Sequence, residues 1–396
     1  MYMKLDLVDL KAIEALVAYG PRNISEVSRK LQIPAETLRK RIKRIYSQTF
    51  LRFHVNVCHA NLGLVTGIVF AEALPGYEKV LLDALKINDF WTFLGRCYGM
   101  FEGCVGIFPI PQESCSKFKR FTDEIKRMGI ARRIQVLWAS LFHPTPSLCK
   151  WFDEKTKSWN LDWERWIQEI KGGDVNLLPT LATPKVSIEA DEIDILLLKE
   201  LEKDATISFK KMAQKFGTSP QLVGYHYHKH VLGKGLLESF RVTVFYFGED
   251  SEFSFFIFNF NESKKLAKFV STLLDKPFVK TLGKILGENK LYGYLYFPRS
   301  ELRTFLEALS ELVRSGFLES YQYVIQDLSN SARETIPFQC FSNGKWIYNH
   351  EEYINILRKF VRGKQLIEKP PAYKVHTKIE NSVFQMSPHA TDQVLK

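Results

Sequence analysis

One pattern recurs along the chain at a fixed distance of 185 residues, without a gap, and a repeat of that kind commits both halves to one fold. Asp6-Leu7-Val8-Asp9-Leu10 falls on Asp191-Glu192-Ile193-Asp194-Ile195, and Glu26-Val27-Ser28-Arg29-Lys30-Leu31 falls on Lys211-Met212-Ala213-Gln214-Lys215-Phe216. Leu38 and Ile42 fall on Val223 and Tyr227. Each copy reads as three short helices, and two such units on one chain amount to a dimer made covalent.

In the first copy, Leu7, Leu10, Ile13, Leu16 and Val17 share a helical face, and Gly20-Pro21 stop the helix. Asn23 is placed to cap a second helix, with Glu26 as its capping-box partner. A third helix is expected from Ala35 to about Tyr46, turning Leu38, Ile42 and Ile45 inward. Its other side offers Arg39, Lys40, Arg41, Lys43 and Arg44, with Thr37 near its start. Five cations in six positions without a carboxylate read as a DNA-contacting face rather than a solvated one.

The second copy is weaker in charge. Residues 1–50 hold ten Lys and Arg against five Asp and Glu, whereas residues 187–238 hold seven against eight. Its third helix is expected over Gln221 to Leu232, after a Ser219-Pro220 start, with Gln221, Tyr225, His228 and Lys229 as DNA contacts. His226 and His230 stand four apart, a metal-binding spacing on a helix. The neighbouring sequence supplies no acidic or cysteine ligand, and His230 replaces an inward Ile45, so a core or phosphate contact is expected and no metal. Protonating these imidazoles would add charge to a weak DNA face.

Beyond each third helix the period changes to that of strands. After a connecting strand, Phe53 to Val57, the elements read Thr66–Glu72, Tyr77–Leu85, Phe90–Cys97, Cys104–Ile110, Ser114–Met128 and Ala131–Trp138, the βαββαβ order of a ferredoxin-like unit. The second half repeats that order from Phe253 to Ile325. Trp159 and Trp166-Ile167 recur as Trp346 and Tyr353-Ile354, and each aromatic tail is expected to clamp a helix to its own sheet. The fold class is therefore α+β, two tandem copies of a winged helix-turn-helix followed by a ferredoxin-like domain. The boundaries fall at 1–50, 51–140, 141–186, 187–238, 239–326 and 327–396, with a loose C-terminus from about Lys369.

Composition narrows the setting. A net charge of +11 and a pI near 9.2 suit a polyanionic partner. Six cysteines with no Cys-x-x-Cys pair argue against a zinc ribbon or a disulfide framework. The charged start lacks a signal-peptide core and the apolar runs are strand-length, so a cytoplasmic, nucleoid-associated protein is expected.

The stretch from Ile207 to Pro220, Ile-Ser-Phe-Lys-Lys-Met-Ala-Gln-Lys-Phe-Gly-Thr-Ser-Pro, followed by βαββαβ, resembles the Lrp/AsnC family of transcription regulators. Ile33-Pro34-Ala35-Glu36-Thr37-Leu38-Arg39, then Val55-Asn56 and Leu62-Gly63-Leu64, resemble that family's recognition helix and hinge. The likeness spans about two thirds of the chain. It implies double-stranded DNA as partner and is compatible with a small-molecule effector at the sheets and with a homo-oligomer. The loops matching the family's effector site, Tyr98 to Gly103 and Leu286 to Lys290, lack its Asp.

Some tetrapyrrole decarboxylases of the siroheme type resemble the same architecture, with a helix-turn-helix that no longer reads DNA and an Asn-Tyr-x-Arg-x-His stretch on a central strand. Here the matching stretch, Phe90 to Tyr98, has a lone Arg96 and no His. With no nucleophile triad, phosphate loop or metal cluster in view, the sequence points to no enzyme, no catalytic residues and no cofactor. The expected function is a DNA-binding transcription regulator acting as a covalent pseudo-dimer on an asymmetric site. A decarboxylase-like enzyme and a non-specific DNA-coating protein are the alternatives.

Overall fold

The computed structural model describes residues 5–48, 51–172, 178, 181–244, 246–247 and 250–362. The expected loose terminus lies outside them. The mixed α/β chain opens with α1 (Leu7–Tyr19), α2 (Ile24–Leu31) and α3 (Ala35–Gln48). Asp6 caps α1 in a capping box with Asp9, and Asn23 caps α2. Strand β1 (Arg52–Val57) leads to β2 (Leu64–Ala73), α4 (Glu78–Leu85), β3 (Phe93–Gly99), β4 (Gly103–Pro111), α5 (Cys115–Arg127) and β5 (Ala131–Phe142). A two-residue ladder of β6 (Phe152–Asp153) and β7 (Ser158–Trp159) precedes α6 (Trp163–Lys171).

The second half runs α7 (Glu192–Lys203), α8 (Phe209–Phe216), α9 (Pro220–Tyr225) and a π-helical stretch, His226–Leu232. There follow β8 (Leu237–Thr243), β9 (Ser251–Asn259), α10 (Ser263–Leu273), β10 (Val279–Ile285), β11 (Lys290–Pro298), α11 (Arg299–Arg314) and β12 (Ser320–Arg333). A ladder of β13 (Phe341–Ser342) and β14 (Lys345–Trp346) leads to α12 (His350–Val361). Among the described residues no helix is long and apolar enough to cross a membrane.

The sheets do not stand apart as two units. Eight strands close into one antiparallel barrel in the order β10-β11-β9-β12-β3-β4-β2-β5. The seams are β5 with β10, where Phe142 faces Leu282 and Ala139 faces Ile285, and β3 with β12, where Cys97 faces Gln326. Closure leaves the barrel no open edge, and β9 is buried on both faces from Phe253 to Phe258, which is why it is apolar on both. Its Phe253, Phe255 and Ile257 turn into the barrel, and Phe256 and Phe258 turn out under the helices. Gly103 permits the tight packing of β4 on β2, since a Cβ there would lie 1.9 Å from the Ala71 carbonyl oxygen.

The aromatic tails cross over, which corrects the expectation that each clamps its own sheet. The tail of the first half packs on the second half's helices. Trp163 lies 5.1 Å from Phe305 and donates to Glu301 Oε2 at 2.8 Å, while Trp166 lies 5.6 Å from Phe269 and donates to Thr272 Oγ1 at 3.0 Å. The second tail returns to the first half, where Trp346 donates to the Leu62 carbonyl at 2.6 Å and the Tyr353 hydroxyl lies 3.2 Å from Asp89 Oδ2. Sequence spacing carries no information about which of two equivalent surfaces an amphipathic helix will cover.

The helical units are crossed in the same sense. β1 and β8 pair as a two-stranded ribbon, with Val55 facing Phe240 and Asn56 bonded to Ser239 Oγ at 2.9 Å. α1 packs on β8 and α7 packs on β1. Gly20, at φ +82°, ends α1 against the Phe240 ring, where a Cβ would come within 2.7 Å. Arg22 donates to the Ile207 carbonyl and lies 4.9 Å over the Phe209 ring, so the two helical units touch at positions related by the repeat.

Trp166 is fully buried between α10 and α11. Trp166→Ala is expected to destabilise the chain by about 3–5 kcal/mol, read as a lower urea midpoint. The same assay on residues 1–186 expressed alone should show no cooperative transition, because its tail has lost the surface it covers.

Candidate functional site

The first basic face is smaller than the sequence suggests. Thr37, Lys40 and Lys43 are exposed on α3, and Arg39 is half-buried with Glu36 3.9 Å away. Arg41 instead turns to the start of α1 and donates to Asp6 Oδ2 at 2.7 Å and to Asp9 Oδ1 at 2.9 Å. Arg44 donates to both Asp9 oxygens, at 2.7 and 2.6 Å. Asp9 is fully buried, so these guanidiniums neutralise a carboxylate that water cannot reach. Burial pushes the Asp6 carboxyl up, but the Arg41 bonds outweigh it and hold it below the usual range; the same bonds raise Arg41. Reading both arginines as free phosphate grips is thereby corrected, because the carboxylates that hold them lie more than thirty residues away.

On the second unit Gln221, Tyr225, His228 and Lys229 are exposed. His226 and His230 are not on that face. Both turn inward to Asp191 and Asp194 at the start of α7, with His226 Nδ1 2.8 Å from Asp194 Oδ1 and His230 Nδ1 3.0 Å from Asp194 Oδ2. A phosphate-contact role for this pair is therefore ruled out, and the acidic partners absent from the neighbouring sequence come from another helix.

The second feature is a cavity of about 1540 Å³ between the β1–β8 ribbon and the barrel interior. Its apolar wall holds Phe93, Phe253, Phe255, Tyr292, Tyr294 and Tyr296. The Phe255 and Tyr294 rings stack at 4.8 Å, and Phe253 and Tyr296 stack at 4.4 Å. Arg241 enters from β8 and Arg333 from the end of β12. Burial, and then the charge of Arg333, pull the Arg241 guanidinium down to about 10. Among the described residues no carboxylate forms an ion pair with Arg241. Two mutually repelling cations on an aromatic wall suit an anionic, flat-faced ligand.

Burial favours the neutral form of three further lining groups. Burial and then Arg241 lower His54 to about 4, and burial lowers His59 to about 4 where its Nδ1 meets Thr66 Oγ1 at 2.8 Å. Burial raises Glu202 to about 8, against the hydrogen bond its Oε2 accepts from the Ile336 N–H at 2.8 Å. The sequence reading missed Arg241 and Arg333, for no motif marks either. Arg96, the cation it weighed, alternates with Gly95 and Cys97 on β3 and is not among the lining residues.

No family model matches the chain. Among curated proteins it is similar to the HTH-type transcriptional regulator Ptr1 of Methanocaldococcus jannaschii, at 30% identity over 117 residues, 29% of this chain and 78% of the relative. The chain belongs to the family of HTH-type transcriptional regulators that includes Ptr1. The solved structure of E. coli AsnC overlays 37% of this chain and 98% of its own at 19% identity and a TM-score of 0.28. Siroheme decarboxylase NirDL, bound to an iron-uroporphyrin III analogue, overlays 87% of this chain and 94% of its own at 9% identity and a TM-score of 0.46.

That last overlay corrects one expectation. The sequence points to no enzyme, because the Phe90 to Tyr98 strand lacks the decarboxylase pattern and no nucleophile triad, phosphate loop or metal cluster is in view; against that, an enzyme overlays 87% of the chain. The physical reason is that a cavity can draw its cations from several elements, as Arg241 and Arg333 do here, so one strand cannot decide the matter.

The cavity imposes opposing pH dependences. His54 and His59 are depressed from 6.5, so their contribution to stability is full above pH 6.5 and is lost as pH falls toward 4. Glu202 is raised, so its contribution is full below about 4.5 and is lost as pH rises through 8. In urea titrations, His54→Gln with His59→Gln should flatten the acid-side loss, and Glu202→Gln should flatten the loss between pH 5 and 8.

Proposed function

We propose that this chain is a DNA-binding transcription regulator in which two copies of a winged helix-turn-helix and ferredoxin-like unit act as a covalent pseudo-dimer on one asymmetric double-stranded site. The observation that carries the reading is the exposed edge of α3, where Thr37, Lys40 and Lys43 stand clear of the fold on a family recognition helix. Arg39 adds a partly covered cation. The second unit offers Gln221, Tyr225, His228 and Lys229, which supply hydrogen bonds and less charge. Counterion release then comes mainly from the first half, and the better-defined half-site belongs to it.

DNA selected from a random pool by the full chain tests this. Lys40→Ala and Lys43→Ala should each reduce the slope of log affinity against log salt by about one, and together should weaken binding at least tenfold. Unchanged affinity and slope would sink the assignment. Arg41→Ala is expected to lower stability as well, by about 1.5–3 kcal/mol, because Asp9 keeps Arg44 but loses one charged hydrogen bond.

The cavity favours a second reading, in which the protein holds a flat polycarboxylate between its aromatic wall and Arg241 and Arg333, as effector or as substrate. Tetrapyrrole carboxylates have that chemistry. If the ligand is transformed by loss of carboxylate, the carbon left behind takes a proton, and burial keeps the Tyr292 and Tyr294 hydroxyls protonated for that task. Iron-uroporphyrin III added to the purified chain should shift its absorbance, with at least tenfold weaker binding in Arg241→Ala. Mass spectrometry separates the cases: retained mass marks an effector, and loss of carbon dioxide marks a substrate.

A further inference from the structure

We propose that the second helix-turn-helix carries a divalent transition-metal site made by Asp191, Asp194, His226 and His230, with Zn²⁺ as the natural occupant. One donor atom from each of these side chains lies within 4.8 Å of the other three. Asp194 Oδ1 is 2.8 Å from His226 Nδ1 and 3.2 Å from His230 Nδ1. Asp191 presents Oδ1 at 3.6 Å from His226 Nδ1 and Oδ2 at 3.7 Å from His230 Nδ1. A tetrahedral ion with bonds of about 2.0–2.1 Å requires its donors to stand about 3.3 Å apart. The observed separations bracket that value, and two imidazoles with two carboxylates form an N₂O₂ set suited to zinc.

The capping box prepares the oxygens. Asp191 Oδ1 accepts from the Asp194 N–H and Asp194 Oδ2 accepts from the Asp191 N–H, which fixes both carboxylates against the imidazoles and leaves Asp191 Oδ2 and Asp194 Oδ1 free of backbone donors. The π-helical stretch brings both rings to that side, 4.5 Å apart. Asp194 is fully buried, whereas the Asp191 side chain is 44% exposed, so an ion can enter from solvent.

The first half shows what the site replaces. Asp6 and Asp9 occupy the equivalent positions and are neutralised by Arg41 and Arg44. At the second site His226 stands in for Arg41, His230 for Ile45 and Lys229 for Arg44, and Lys229 is exposed. A metal takes imidazole ligands in their neutral form, so the two carboxylates would supply the charge that one divalent ion cancels. The metal thus does for α7 and its recognition helix what a guanidinium clamp does for α1 and α3. It ties the helix that bears Gln221, Tyr225 and His228 to the rest of the unit.

The test uses the full chain after chelation. Titration with Co²⁺ should give a saturable visible absorption at one equivalent per chain, displaced by Zn²⁺, and either ion should raise the melting temperature. The double substitution His226→Arg with His230→Ile restores the side chains of the first half at these positions. It should fold, melt independently of metal and bind Co²⁺ at least about a hundredfold more weakly. His230→Gln alone should weaken binding without altering the apo melting temperature by more than a few degrees. No stoichiometric binding by the wild type, or equal binding by the folded double variant, would overturn the site.

Discussion

Two antiparallel seams, β5 with β10 and β3 with β12, join four strands from each half into one barrel, and the arrangement of every other element follows from that closure. A four-stranded sheet with helices on one face leaves its other face bare. Here each bare face covers the other, and the aromatic rows of β9 and β11 become an interior instead of a surface. The crossed tails reinforce the closure. Trp166 on α10 and α11, and Trp346 over Leu62, bury aromatic area that neither half could cover with its own chain.

Closure also creates the cavity. The interior of an eight-stranded barrel can be filled by side chains or hold a small ligand, and the choice depends on what projects inward. At one end of this barrel the small residues Thr66, Ala139 and Thr281 line the wall, and the β1–β8 ribbon caps the space with Arg52, His54 and Arg241. Because the ribbon also carries the packing surfaces of α1 and α7, a ligand in the cavity and the helical units share one connecting element. Under the proposed regulator reading, that shared element is the physical route by which cavity contents and DNA affinity would be coupled.

Buried carboxylates govern the helical units. Asp9 and Asp194 each begin a helix as a capping partner, and each is sealed from solvent. A sealed carboxylate needs a counter-charge. The first half takes it from Arg41 and Arg44, which commits two guanidiniums of α3 to the start of α1. The asymmetry between the halves is therefore less a matter of total charge than of where charge is committed. Lys40 and Lys43 remain outward in one half, Lys229 in the other.

The order of helices and strands was legible in the sequence because it rests on local periodicity and caps: Asn23 and Ser219 each accept the expected backbone hydrogen bond. The repeat at 185 residues was legible for the same reason. What the sequence could not show is which copy of each surface meets which. Trp166 fits two equivalent sheets equally well by pattern, and only closure of the barrel brings it against the distant one. The same limit hid Asp191 and Asp194 from His226 and His230, separated by more than thirty residues, and hid Arg241 and Arg333 from each other. Local chemistry determined the elements and their caps. The tertiary structure decided the partners, because charge neutralisation and the burial of aromatic faces act through space and take no account of distance along the chain.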